Sequence, residues 1–197
     1  MSRGRRLTVV LALNLALVAG LAVVGAGAHS LGVLAEGGDY LLDAAGAGLA
    51  LLAIRLSARG AHGGHMGLTG AAALVNAGWL LLLELIVVGA AIDRLATRTP
   101  AVHGLPVLVA SGIAALVMTA GALVLRGDDD DGERDLSVAA VLLDTVADAA
   151  AAAGVAAAGA IILIVGGWYW LDPAVALTIA VLVAFHALAL IRKILRR

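Results

Sequence analysis

The chain has 197 residues, of which 62% are hydrophobic and only 14% charged, against about 45–50% and about 25% in soluble domains. That much apolar surface cannot be hidden inside one water-facing fold of this size, so the composition reads as an integral membrane protein. A formal net charge of −1 gives nucleic-acid binding no support, and the absence of cysteine removes disulfides, thiolate metal sites and a cysteine nucleophile.

A hydrocarbon core of about 30 Å requires about 20 apolar residues per helix. Six segments reach that length, at residues 7–28, 31–54, 67–92, 102–125, 136–165 and 171–191. The expected fold is therefore all-α, a polytopic bundle of six transmembrane helices forming one membrane domain, with no soluble C-terminal domain. Between the first two spans, the Gly-rich stretch 25–30 predicts a tight hairpin. Residues 55–65 form a basic connection holding His62 and His65, and residues 93–100 carry mixed charge. Residues 126–135 are strongly acidic, and residues 166–169 with Pro173 predict a turn beside interfacial aromatics.

With the N-terminus inside, eleven of the 13 Lys and Arg residues fall on the inner side, leaving Arg94 and Arg98 outside. The bias of basic residues towards cytoplasmic loops then places both termini in the cytoplasm of a multi-pass cell-membrane protein. The first span also fits a cleaved signal peptide, because Arg3, Arg5 and Arg6 precede an apolar run and Ala26-Gly27-Ala28 resembles a cleavage site. Its removal would strand the basic C-terminus outside.

Few ionisable residues lie within the spans: Glu36, Asp39 and Asp43 in the second, Glu84 in the third, Asp144 and Asp148 in the fifth, and His186 in the sixth. A charge at mid-bilayer costs about 2.5–3.5 kcal/mol, so four uncompensated aspartates cost on the order of 10 kcal/mol. Protons, a bound cation, or both in turn must neutralise them. Asp39 and Asp43 are four residues apart, as are Asp144 and Asp148, which puts each pair on one helix face. Both pairs lie about 12–18 Å into helices entering from opposite membrane faces, at 1.5 Å per residue. The four carboxylates Asp39, Asp43, Asp144 and Asp148 are thus the expected metal site, at the midplane. The alternative is that each aspartate caps a helix break or bonds to a neighbouring helix.

Several motifs then resemble one family in order along the chain. The stretch from Ser30 through Leu34-Ala35-Glu36 to Asp39 and Asp43 is similar to the second helix of the cation diffusion facilitators, six-helix exporters of divalent metals. Asp144 and Asp148 match the ligand pair of that family's fifth helix. Asn14 and Asn76 match polar positions in its first and third helices. The stretches Val102-His103-Gly104-Leu105-Pro106 and Gly167-Trp168-Tyr169-Trp170-Leu171-Asp172-Pro173 resemble the starts of its fourth and sixth.

The resemblance implies export of a divalent cation from the cytoplasm in exchange for protons, with zinc, manganese or iron as the transported ion and no prosthetic group. It implies no enzymatic activity, and leaves a homodimer open. Three departures qualify it. The family's metal-binding cytoplasmic domain is not expected here. Its Gly-Tyr-x-Arg-x-Glu stretch is reduced to Gly64-His65-Met66-Gly67-Leu68-Thr69. Asp39 and Asp144 stand where zinc-type members often place His. An all-carboxylate set is hard and suits Mn(II)-type ions, although Zn(II) also accepts carboxylate oxygen. Metal binding displaces any protons the carboxylates carry, which ties the two fluxes together.

The remaining signals have plain readings beside functional ones. Glu36 fits an ion lead-in or a residue of the helix start, and Asp172 fits an N-cap of the sixth helix. His62 and His65 fit a second metal site or a solvated loop. The acidic run 128–131 with Glu133 fits a solvated loop that concentrates cations, and it lacks EF-hand spacing. Glu84 has no evident partner. Other function classes are a non-transporting metal-binding membrane subunit and an intramembrane aspartyl protease, whose Gly-x-Gly-Asp motif is broken by Glu36 before Gly37-Gly38-Asp39.

Overall fold

The computed structural model describes residues 3–58, 65–127 and 136–195. Six helices account for most of them: α1 (Arg3–Ala28), α2 (Leu31–Ala58), α3 (His65–Ala96), α4 (Gly104–Gly127), α5 (Leu136–Val165) and α6 (Leu171–Leu195). Each expected span falls on one helix. Most helices run past the apolar stretch, because backbone hydrogen bonding continues after the side chains turn polar. α3 shows this at its end, where Asp93 is still helical and its carbonyl accepts from both the amide and the hydroxyl of Thr97, at 2.9 and 2.8 Å.

The polarity of the bundle is that of a protein dissolved in lipid. Large apolar side chains such as Leu116, Ile164 and Phe185 point outward, while Asn14, Ser30, Glu36, Glu84, Ser111, Asp148 and Asp172 are buried. Helices satisfy every internal backbone group within one segment, which is what lipid demands. Among the described residues, Leu11–Ala28, Gly104–Leu123 and Thr145–Val165 are long and apolar enough to cross a membrane, and Leu171–Phe185 is a shorter apolar stretch. Trp168 and Trp170, half-exposed with ring centroids 6.3 Å apart, sit just before α6 as aromatics do at a membrane interface.

α2 is the centre of the bundle and packs against each of the other five helices. α1 and α2 form a hairpin, α4 and α5 pack as a second, and α3 lies against α6. The α1–α2 turn differs from a Gly-rich hairpin. α1 continues to Ala28, and the left-handed residue that ends it is His29, with φ 58°. Ser30 N–H donates to the Gly25 carbonyl at 2.9 Å and His29 N–H to that of Ala26 at 3.4 Å, the paired bonds of a Schellman end. Gly25 instead serves packing, since a Cβ there would stand 2.8 Å from Leu34 of α2.

The α4–α5 pair is held close by two glycines. A Cβ on Gly159 would fall 2.7 Å from the Leu108 amide nitrogen and 3.0 Å from the Gly104 carbonyl, and one on Gly104 would fall 2.6 Å from the Gly159 carbonyl. Small residues let helices in lipid bring their backbones together, where van der Waals contact drives association.

Candidate metal and cation site

The site is built on the middle of α2, whose acids share a helix face broad enough to meet α4 and α5. Asp39 and Asp43 are half-buried, and Asp148 on α5 is buried. The side chain of Asp144 lies outside the described residues, although its backbone is part of α5. Tyr40, on α2 next to Asp39 in sequence, is fully buried. Asp39, Asp148 and Glu36 all act electrostatically on Tyr40, so an acid of α5 and two acids of α2 are within range of one hydroxyl. Among the described residues, no group of three or more His, Asp and Glu side chains stands close enough to hold a metal ion.

One turn along α2 from Tyr40, Glu36 is buried and faces α4. Its Oε2 accepts from Ser111 Oγ at 2.5 Å, and its Oε1 receives the Tyr40 hydroxyl at 3.5 Å. Ser111 is itself wholly buried. Glu36 is thus an interior residue whose carboxylate accepts across the α2–α4 contact. Glu84 of α3 is buried at 2% exposure, and its Oε2 has no hydrogen-bond partner among the described residues. Its Oε1 lies 2.9 Å from where a Cβ on Gly38 would be, and Asp39 acts on it electrostatically.

Asp172 requires a correction. It lies in the first turn of α6, and its carboxylate caps a different helix. Oδ2 accepts from the Leu31 amide at 2.7 Å and Oδ1 from the Gly32 amide at 3.1 Å, and Ser30 Oγ donates to Oδ1 as well. Ser30 Oγ in turn accepts from Val33 N–H at 3.1 Å, the N-cap bond of α2. Arg94 completes the cluster, with Nη1 3.7 Å from Asp172 Oδ2 and donating to the His29 carbonyl at 2.6 Å. The N-terminus of α2 is thus tied to the start of α6 and the end of α3. His103 N–H adds a bond to the Ala28 carbonyl at 3.2 Å, which ties in the start of α4.

Sequence reasoning missed Tyr40, Ser111 and Arg94 as members of these clusters. Tyr40 had a signal: it lies four residues after Glu36, on the same helix face. Ser111 and Arg94 reach partners on other helices, which spacing along the chain does not register. His62 and the acidic run 128–131 with Glu133 lie outside the described residues, and so do the side chains of His65, Asn76 and His186.

Comparison with known proteins bears on this arrangement. The family model described as the cation efflux transmembrane domain matches residues 7–197. A protein named zinc transporter ZitB from Yersinia pseudotuberculosis (strain IP32953) is 29% identical over 196 residues, covering 98% of this chain and 62% of the relative. The ZitB of Pectobacterium atrosepticum is 31% identical over 168 residues, covering 83% of this chain and 51% of its own length. The ZitB of Escherichia coli (strain K12) is 30% identical over 168 residues, with 83% and 52% covered. The chain therefore spans about half to three-fifths of the length of the curated relatives it matches. With a match over nearly its whole length, an all-helical membrane bundle and buried acids on α2 and α5, the chain belongs to the cation efflux transmembrane domain family, the cation diffusion facilitators.

Proposed function

We propose that the chain moves a divalent cation out of the cytoplasm in exchange for protons, by way of Asp39, Asp43, Asp144 and Asp148. The observation that carries this reading is the electrostatic meeting of α2 and α5 at Tyr40, where Asp39 and Asp148 act on one buried hydroxyl. Charged carboxylates at the depth of a bilayer are costly, and a cation entering from water lowers that cost. Metal binding releases protons from the ligands that carry them, and helices rocking around a midplane site expose the ion to each side in turn. The reading takes both termini as cytoplasmic and leaves dimer formation to the membrane helices.

The relatives' names specify zinc. The four-carboxylate donor set extends the range towards harder ions of the Mn(II) and Fe(II) kind. A protease reading finds less support, since Glu36 fills the place of a required glycine and is engaged with Ser111 and Tyr40. Proteoliposomes holding the chain, with a pH-sensitive dye inside and Zn(II), Mn(II) or Fe(II) added outside, test the proposal. Ion-dependent pH change for at least one of these ions supports exchange. Metal binding with no movement of metal or protons would leave a binding subunit instead.

A further inference from the structure

Glu84 is a buried acid that the four-aspartate reading does not use. It is on α3, which carries none of the four aspartates, yet its carboxylate reaches α2 at Gly38, the residue before Asp39. Three observations locate it. The side chain is 98% removed from solvent, being 2% exposed. Its Oε2 accepts no hydrogen bond from the described residues. Its Oε1 occupies the space that Gly38 leaves empty, directly beside Asp39 in the chain, and Asp39 acts on it electrostatically. The bare glycine is what admits the carboxylate, because a Cβ at position 38 would be 2.9 Å from that oxygen.

Buried carboxyl groups in proteins almost always have their acceptors filled, and leaving one unmade costs about 1–3 kcal/mol, more when the group is charged. Glu36, in the same bundle, has both oxygens engaged. Asp172 has both oxygens engaged as well. Glu84 differs by having an oxygen with open lone pairs next to a second acid. That arrangement repels itself when empty and suits a hard cation, which can keep some of its water while bridging two carboxylates.

We infer that Glu84 is a ligand on the cation's path, binding a partly hydrated divalent ion together with Asp39 at the α2–α3 contact. This rests on the reading of Asp39 as part of the transport site and adds a third helix to it. Glu84 supplies an anionic oxygen from α3 beside Gly38 and within electrostatic range of Asp39. The ligand class is a hard divalent ion with oxygen preference, for which Mn(II) is the probe.

Mn(II) affinity of the chain in lipid nanodiscs, measured by titration calorimetry and by loss of the free-ion paramagnetic resonance signal, tests it. Glu84→Gln keeps the shape and removes the charge, so affinity falls about tenfold or more, as expected when an anionic ligand is lost. Glu84→Asp keeps the charge and recovers part of that loss. Gly38→Ala tests the contact with every charge retained. The added Cβ displaces only the far end of a flexible side chain, so the melting temperature holds while Mn(II) affinity falls severalfold. Gly37→Ala is the control, since its Cβ would make an ordinary 3.4 Å contact with Leu21, and it leaves affinity unchanged.

Wild-type affinity in both Glu84→Gln and Gly38→Ala overturns the inference. Asp148→Asn, measured alongside, separates the two readings. If it weakens Mn(II) binding and Glu84→Gln does not, Glu84 alone is wrongly assigned. If Asp148→Asn binds as wild type, the four-aspartate site fails whatever Glu84 does.

Discussion

Asp172 and Glu84 are equally hidden, each 2% exposed, but their surroundings are opposite. Asp172 receives two backbone amides and a hydroxyl, and it faces the Arg94 guanidinium. Glu84 has an oxygen that nothing among the described residues fills, with the acid Asp39 for a neighbour. A buried charge whose donors are all supplied by the chain is a fastener, and it joins α2, α3 and α6 at one end of the bundle. A buried charge left short of donors, among like charges, is a place where something from outside is wanted. The contrast sets an end of the bundle whose buried acid is fully bonded against a buried acid, Glu84, that keeps an open oxygen.

The largest expected effect in stability is at the fastener. Asp172→Ala leaves the Leu31 and Gly32 amides and the Ser30 hydroxyl without their acceptor and Arg94 without its opposite charge, which should cost about 3–5 kcal/mol, as when one partner of a buried ion pair is removed. Thermal unfolding of the detergent-solubilised chain reads this directly. A melting temperature within a degree or two of wild type would show that the two regions do not differ in the way described.

Gly159→Ala comes next. Its Cβ would press on the Leu108 amide and the Gly104 carbonyl, and backbone cannot swing aside as a side chain can. Separation of α4 from α5 should cost about 1–3 kcal/mol. The same melting experiment, with Gly154→Ala as comparison because its Cβ meets nothing within 4 Å, isolates the clash.

Ser111→Ala sharpens the comparison from the other direction. It takes from Glu36 the hydroxyl at 2.5 Å and leaves the 3.5 Å approach of Tyr40, so it converts a satisfied acid into one resembling Glu84. The cost should be about 1–2 kcal/mol in stability. A neutral result would mean that Glu36 is solvated or neutral regardless of Ser111.

The helices were legible because lipid imposes a minimum apolar length, and every expected span has its helix. The i,i+4 spacing also put Asp39 and Asp43 on a common face of α2. What was not legible depends on contacts between distant parts of the chain. Asp172 read as a cap for its own helix, since local sequence offers no other donors. Its actual donors begin at Ser30, 142 residues away. Glu84 had no account at all, because its relation to α2 depends on the missing side chain of Gly38. The α1–α2 turn was assigned to glycine, yet His29 takes the left-handed position and Gly25 is spent on close packing with Leu34. Spacing along one helix reports its faces but not which neighbour each face meets.

The central claim is that the acids of α2 and α5 carry the ion, and charge removal at those acids tests it most directly. Asp43→Asn and Asp148→Asn preserve size and hydrogen bonding while deleting an anionic oxygen, and in a site of repelling charges they need not reduce stability. Metal flux driven by a pH gradient should be measured in proteoliposomes for both variants and for Asp130→Asn. The first two should insert and fold, yet lose at least about nine-tenths of flux and the proton release that accompanies metal binding. Asp130→Asn should alter flux modestly, and mainly at low ionic strength, where long-range attraction is least screened. Wild-type flux with unchanged proton exchange in both Asp43→Asn and Asp148→Asn would contradict the account.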